Sequence, residues 1–123
     1  MLTVTKIMKF DAAHFLPHYV GQCKNLHGHT WKVEVEVGYA ENIEMINNSN
    51  FVVDFSILKK LMEIHVISIF DHRLLNEVIP NPTAETITLW VGDALAVPLA
   101  NENCALKRVR VWESEDSYAE WKA

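Results

Sequence analysis

The chain has little of what would mark it as secreted, fibrous or membrane-spanning. Cys23 and Cys104 are its only cysteines, and it has four glycines and four prolines in 123 residues. Two cysteines cannot build a disulfide-stapled scaffold. One bridge between them stays open, but reduced thiols fit better, because the start Met1-Leu-Thr-Val-Thr-Lys6 shows no signal-peptide pattern. A cytoplasmic location is the expectation. So little glycine and proline excludes collagen-like and low-complexity classes. No apolar run approaches the length of a membrane span. A basic excess is also missing: 11 Lys and Arg stand against 16 Asp and Glu, a net charge of −5. That balance argues against a nucleic acid or an anionic membrane as partner. What is present is ordinary for a globular chain, 50% hydrophobic and 22% charged. The length predicts one domain, residues 1–123, large enough for a real core.

The clearest pattern follows Cys23-Lys-Asn-Leu-His27-Gly-His29. Trp31, Val33, Val35, Val37 and Tyr39 fall on one face, and Thr30, Lys32, Glu34 and Glu36 on the other. A period of two predicts a half-buried strand to about Ala40, with a solvated outer face. His27 and His29 share the apolar parity, so a strand extended through them aims both imidazoles the same way. Their Cα atoms would lie roughly 6–7 Å apart, and two ring nitrogens on such a base can meet one ion at about 2.0–2.1 Å. Gly28 is expected to leave space between them.

An earlier strand, from Thr3 to about Phe15, puts Val4, Met8, Phe10 and Ala12 in parity with a third histidine, His14, interrupted by Lys6. Leu16 to Leu26 reads as a loop, and Asn47-Asn48-Ser49-Asn50 as a turn. Helical spacing predicts a helix from about Ser56 to Ile69, with Asp54 or Ser56 as cap. Its stripe is Ile57, Leu58, Leu61, Met62, Ile64, His65 and Ile69. Thr83 caps a second helix to about Val97, buried through Ile87, Trp90, Val91, Ala94 and Leu95 and ended by Pro98. Strands from Leu106 to Glu113 and around Tyr118 to Trp121 follow. The order β-β-α-α-β-β predicts an α+β domain, with two helices on one face of an antiparallel four-stranded sheet.

Chemistry gathers at few positions. Three histidines at strand positions suit a catalytic zinc, which takes three protein nitrogens and leaves one place open. The plain alternative is a satisfied half-buried His14 beside a loop that happens to carry two more. His18 and His65 have only ordinary explanations. Cys23 fits a fourth ligand of a closed structural site, a free thiol beside the metal, or an inert buried residue, and spacing does not rank these. Asp71-His72 reads either as a histidine near a helix C-terminus or as a carboxylate–imidazole proton shuttle, with spacing favouring the former. Glu113 closes the apolar face formed by Val109 and Val111. Strand-end solvation explains it, as does an anchor for a ligand with paired N–H donors.

Taken together, Phe10-Asp-Ala-Ala-His14, Cys23-Lys-Asn-Leu-His27-Gly-His29, Val53-Asp54-Phe55, Asp71-His72-Arg-Leu-Leu-Asn76, Pro82-Thr83-Ala-Glu85 and Trp112-Glu113-Ser resemble the 6-pyruvoyl-tetrahydropterin synthase superfamily. The match runs in order from about residue 5 to 118. Three residues between the cysteine and His-Gly-His resemble its bacterial 6-carboxy-5,6,7,8-tetrahydropterin synthase branch, which points to queuosine and 7-deazaguanine biosynthesis. The resemblance implies His14, His27 and His29 as zinc ligands, Cys23 as catalytic thiol and Asp71 with His72 as its proton-relay partners. It implies Glu113 as the carboxylate holding the pterin ring and Thr83 in a segment lining that pocket. It further implies a tunnelling fold whose copies assemble into barrels, usually hexamers, with active sites at interfaces. Asp71 and His72 then reach the thiol of a neighbouring copy.

The activity implied is that of a zinc-dependent carbon–carbon lyase. It converts 7,8-dihydroneopterin triphosphate to 6-carboxy-5,6,7,8-tetrahydropterin, acetaldehyde and triphosphate. The alternatives are triphosphate elimination that ends at 6-pyruvoyl-tetrahydropterin, and a non-enzymatic structural zinc module. Two departures from the family pattern stand out. Asn48-Ser-Asn50-Phe51 replaces a stretch that usually carries glycine, and Thr86 stands where asparagine is common.

Overall fold

The alternation after His27 becomes strand β2 (His27–Tyr39), and its neighbour β1 (Thr3–His14) pairs with it antiparallel from Thr3↔Gly38 to His14↔His27. The computed structural model describes residues 1–18, 20–21, 25–40 and 51–123. Cys23 and the expected turn at Asn47–Asn50 lie outside the described residues. Trp31, Val33, Val35 and Val37 are fully buried, with Phe10 and Ala12 on the same side. The opposite face is less open than the alternation suggests, since Glu34 is only 9% exposed. Trp112 Nε1–H donates to its Oε1 at 3.1 Å, and Arg110 lies 3.7 Å from Oε2. Arg108 with Glu36 at 3.0 Å and Arg110 with Glu120 at 2.6 Å extend this cover across the sheet.

Strands β4 (Cys104–Ser114) and β5 (Ser117–Lys122) continue the sheet antiparallel, as expected. The expectation of four antiparallel strands needs correction. A two-residue strand, β3 (Arg73–Leu74), pairs parallel with Ala12 and Ala13, so the sheet is mixed and ordered β3-β1-β2-β4-β5. Its cause is local: His72 takes φ 58° and donates its N–H to Asp11 O at 2.7 Å, which turns the chain along the β1 edge. Two residues carry no periodic signal, so the sequence hides them.

Both helical segments pack against the sheet face that Trp31 buries. The first is α1 (Phe55–Met62), a π turn (Glu63–Ile67) and α2 (Ser68–Phe70) in succession. Asp54, not Ser56, is its cap, accepting from Ser56 N at 2.8 Å. The stripe also differs from expectation, because Ile57 and Ile64 are exposed while Leu58, Met62, Val66 and Phe70 are fully buried. Those four recur every fourth residue. In a regular helix of 3.6 residues per turn they would drift by about 120° from first to last. The π turn absorbs one extra residue and leaves a drift of about 20°. Burying each such side chain stabilises by about 1.5–3 kcal/mol, which outweighs one poorly bonded turn.

Helix α3 (Ala84–Asn101) starts at Thr83 as expected but runs through Pro98, four residues past its expected end at Val97. Pro98 has no N–H for the carbonyl four residues back, a cost of about 3 kcal/mol in a helix interior. Continuing buries Leu99 completely, one turn beyond Leu95, and lets the Cys104 thiol donate to Leu99 O at 3.3 Å. Asn103, with φ 58°, then reverses the chain into β4. Ile87, Thr88, Val91, Leu95 and Leu99 form the buried face, while Trp90 is partly buried against Phe70. Among the described residues no helix is long and apolar enough to cross a membrane.

Candidate active site

The end of β1 and the start of β2 bring His14, His27 and His29 to one face, as parity requires. Ring centroids lie 4.6 Å apart for His14 and His27, 4.7 Å for His27 and His29, and 5.2 Å for His14 and His29. Trp31 walls the cluster from below at 5.0 Å from His14 and 5.4 Å from His29, its indole N–H donating to Ala12 O at 3.3 Å. Gly28 does not open space between the imidazoles. It faces the other side of the strand, where a Cβ would meet nothing nearer than Ala12 O at 3.9 Å.

Hydrogen bonds fix which ring nitrogens face inward. The His14 Nδ1–H donates to Pro82 O at 2.7 Å, and the His27 Nδ1–H donates to Asn25 O at 2.7 Å. A carbonyl can only accept, so both neutral rings carry their proton on Nδ1 and a lone pair on Nε2. The two Nε2 atoms lie 3.0 Å apart. Two lone pairs at that distance repel unless a cation or a shared proton stands between them. His29 Nε2 is buried without a hydrogen-bond partner among the described residues. Burial holds its pKa below the ordinary histidine value. Glu113 pulls the other way, and the neighbouring imidazoles lower it further. A neutral ring with an unused nitrogen is the form a metal takes. The donor set therefore fits a zinc ion, and the carbonyls of Pro82 and Asn25 are the orienting partners such ligands have. Sequence reasoning missed both, because a carbonyl belongs to every residue type.

Glu113 sits at the irregularity where β4 parts from β5, between Trp112 and Ser114. Its Oε1 lies 3.9 Å from His29 Nε2, too far for a hydrogen bond. It also lines an open cleft of about 530 Å³ with Glu85, Ser117, Tyr118 and Glu120. Thr83 and Thr86 form a capping box: Thr86 N–H donates to Thr83 Oγ1 at 3.1 Å and Thr83 N–H to Thr86 Oγ1 at 2.9 Å. Thr86 also donates to Asn81 O at 2.6 Å, which gives its departure from asparagine a local structural use. Since Pro82 immediately precedes Thr83, this cap holds the carbonyl that orients His14.

Asp71 and His72 stand elsewhere. His72 Nδ1 lies 2.9 Å from Asp71 Oδ2, and Asp11 N–H donates to Asp71 Oδ1 at 3.0 Å. The Asp71 carboxyl is held below the usual carboxylate range by the Asp11 N–H and by His72. The hydrogen bond that its ring N–H donates to Asp71 raises the His72 pKa. The pair is docked on Asp11, whose side chain leaves β1 on the face opposite Ala12 and His14. Among the described residues no hydrogen bond or ion pair joins it to the three imidazoles. An open cleft of about 550 Å³ on this side is lined by Asp11, Ala13, Gly28, His29, Thr30 and His72, among others. The described structure thus groups His14, His27, His29 and Glu113, and sets Asp71 with His72 apart.

Comparison with known proteins gives the family and the fold. A family model described as 6-pyruvoyl tetrahydropterin synthase matches residues 3–123. A protein of Synechocystis named 6-carboxy-5,6,7,8-tetrahydropterin synthase is 36% identical over 93 residues, 74% of this chain and 72% of that one. A dihydroneopterin monophosphate aldolase of Pyrococcus furiosus is 36% identical over 107 residues, 87% of this chain and 85% of that one. The solved structure of Caenorhabditis elegans 6-pyruvoyl tetrahydropterin synthase superposes with a TM-score of 0.82 at 23% identity, covering 99% of this chain and 95% of that one, a likeness of fold. The chain belongs to the 6-pyruvoyl tetrahydropterin synthase family.

Proposed function

We propose that the chain is a zinc-dependent carbon–carbon lyase of one catalytic domain that converts 7,8-dihydroneopterin triphosphate and one water to 6-carboxy-5,6,7,8-tetrahydropterin, acetaldehyde and triphosphate. The observation that carries the reading is the pair of His14 and His27 Nε2 atoms, 3.0 Å apart with each Nδ1 on a backbone carbonyl, beside a His29 Nε2 that has no hydrogen-bond partner among the described residues and within reach of Glu113. His14, His27 and His29 would hold the zinc, which supplies Lewis-acid stabilisation of negative charge on the substrate's side-chain oxygens. Glu113 accepts paired N–H donors of the pterin ring, an acceptor-only role that an ionised carboxylate fills. Thr83 shapes the wall of that pocket and fixes the His14 orientation through Pro82. Cys23, by the family resemblance, removes a side-chain proton as thiolate. His72 gives and takes protons, held in its tautomer by Asp71.

That no hydrogen bond or ion pair among the described residues joins His72 to the imidazoles, though it shares an open cleft with His29, supports a relay delivered to a neighbouring copy. So do the two edges of the sheet among the described residues, β5 at one end and the two-residue β3 at the other. A hexameric barrel with interface sites, working in the cytoplasm in 7-deazaguanine synthesis, completes the reading. The Pyrococcus furiosus relative favours a second one, aldol cleavage of dihydroneopterin monophosphate in the same pocket.

The test is incubation of zinc-loaded protein with dihydroneopterin triphosphate, followed by mass spectrometry. Acetaldehyde with 6-carboxy-tetrahydropterin supports the proposal. A 6-pyruvoyl product, or cleavage of the monophosphate alone, replaces it. A Cys23→Ala protein that keeps zinc and loses turnover supports the enzyme. One that loses zinc and unfolds supports a structural zinc module instead.

A further inference from the structure

Asp11 is an exposed aspartate on strand β1, a residue type depleted in strands and here contributing nothing to the core. Resting on the relay role proposed for Asp71 and His72, we infer that Asp11 is a positioning residue for that relay. Its backbone N–H and C=O clamp the Asp71–His72 turn, and its carboxylate, fixed by Thr30, supplies a second negative group beside the imidazole.

Three contacts carry the argument. The Asp11 N–H donates to Asp71 Oδ1 at 3.0 Å, and the Asp11 carbonyl accepts the His72 N–H at 2.7 Å. The backbone of one residue thus holds both members of the pair. It also offsets the unfavourable backbone of His72, a side-chain-bearing residue at φ 58°. The third contact concerns the side chain. Thr30 Oγ1–H donates to Asp11 Oδ1 at 2.6 Å, so the carboxylate is not free to swing into solvent. With Thr30 holding it, the acceptor atoms of Asp11, Asp71 and His72 all lie within 4.8 Å of one another. Asp71 then orients the ring through Nδ1, and Asp11 stabilises its protonated form through space. The other groups on this cleft that carry or can take charge are Arg73, next in the chain, and His29 across on β2. Thr30 follows His29 directly, so the Thr30–Asp11 bond also ties the relay turn to the strand that bears two of the three imidazoles.

The test compares wild type with Asp11→Asn, which keeps the shape and removes the charge, and with Thr30→Val, which frees the carboxylate. Each is assayed for kcat and KM, for zinc content, and for the His72 ring titration by NMR. Asp11→Asn is expected to lower kcat by roughly twofold to 150-fold at unchanged KM and zinc, the span of couplings between contacting groups. Thr30→Val should act in the same direction, and the double variant should be no worse than Asp11→Asn. In Asp11→Asn the His72 midpoint should move down while that of His65, on the helical side, stays put. Equal kcat and an unmoved His72 midpoint overturn the inference, as does a loss of activity that merely follows lost zinc. If the wild-type protein forms no pterin product, the functional proposal fails and the NMR comparison alone decides Asp11. Should Asp11→Asn fail to fold, Thr30→Val carries the same readouts.

Discussion

Replacing Thr83 with alanine separates two uses of one hydroxyl. As a helix cap, Thr83 Oγ1 accepts from Thr86 N–H at 3.1 Å, and alanine leaves that donor without its partner. Losing such a cap costs about 1 kcal/mol, within a range of about 0.5–2 kcal/mol. Thr86 keeps its bonds to Asn81 O and to the residue 83 N–H, so the loss stays with one donor. A chain of 123 residues unfolds with an entropy of about 0.26 kcal/mol per kelvin, so the midpoint should fall by about 4 °C, and by about 8 °C at most. A second effect follows from Pro82, whose carbonyl orients His14 at 2.7 Å. Loosening this turn should weaken zinc binding by up to about tenfold, at the low end of what orienting partners contribute. Calorimetry with and without zinc measures both, and Thr83→Ser should restore both because serine caps equally well. An unchanged midpoint together with a raised KM would refute this reasoning, since the hydroxyl would then bind ligand instead of Thr86.

Two further outcomes are expected. Purified protein should carry one zinc per chain by elemental analysis; alanine at His14, His27 or His29 should abolish it, and alanine at His65 should not. Free zinc at a hundredfold over its dissociation constant should raise the thermal midpoint by about 10 °C, from a linkage of about 2.7 kcal/mol. The pH dependence of the relay has a definite sign. Asp71 raises the His72 pKa and is itself held low, so the pair's stabilising contribution is complete between the unfolded carboxylate and unfolded histidine values. It is lost as pH rises through the folded His72 value and lost as pH falls through the folded Asp71 value. Asp71→Asn should therefore lower the His72 midpoint seen by NMR; an unchanged or higher one would rule out the pairing.

Much of this was legible because parity is a strong signal. The alternation from Trp31 to Tyr39 set the core face, and His14, His27 and His29 inherited their direction from it. Glu113 was legible for the same reason, as a carboxylate ending the Val109–Val111 face. What escaped was anything not encoded in side-chain pattern. The carbonyls of Pro82 and Asn25, the two-residue strand at Arg73–Leu74 and the placement of Asp71–His72 on Asp11 depend on where distant backbone ends up. Pro98 misled because a local rule against proline lost to the burial of Leu99. Ile57 and Ile64 fit a regular helical stripe as well as Val66 and Phe70 do, and only the packed helix shows which pair faces inward.

The extra residue in the π turn has a reach beyond its own segment. Forcing Glu63–Ile67 into a regular helix with every residue kept would leave a more comfortable, uninterrupted helix, yet would swing everything after it by about 100°. Phe70 would leave its place against Phe10, where the ring centroids are 5.4 Å apart, and Asp71 would no longer find the Asp11 N–H. A small irregularity thus sets the aim of a proton-carrying group, and regularising it would yield a sound helix that points its chemistry the wrong way.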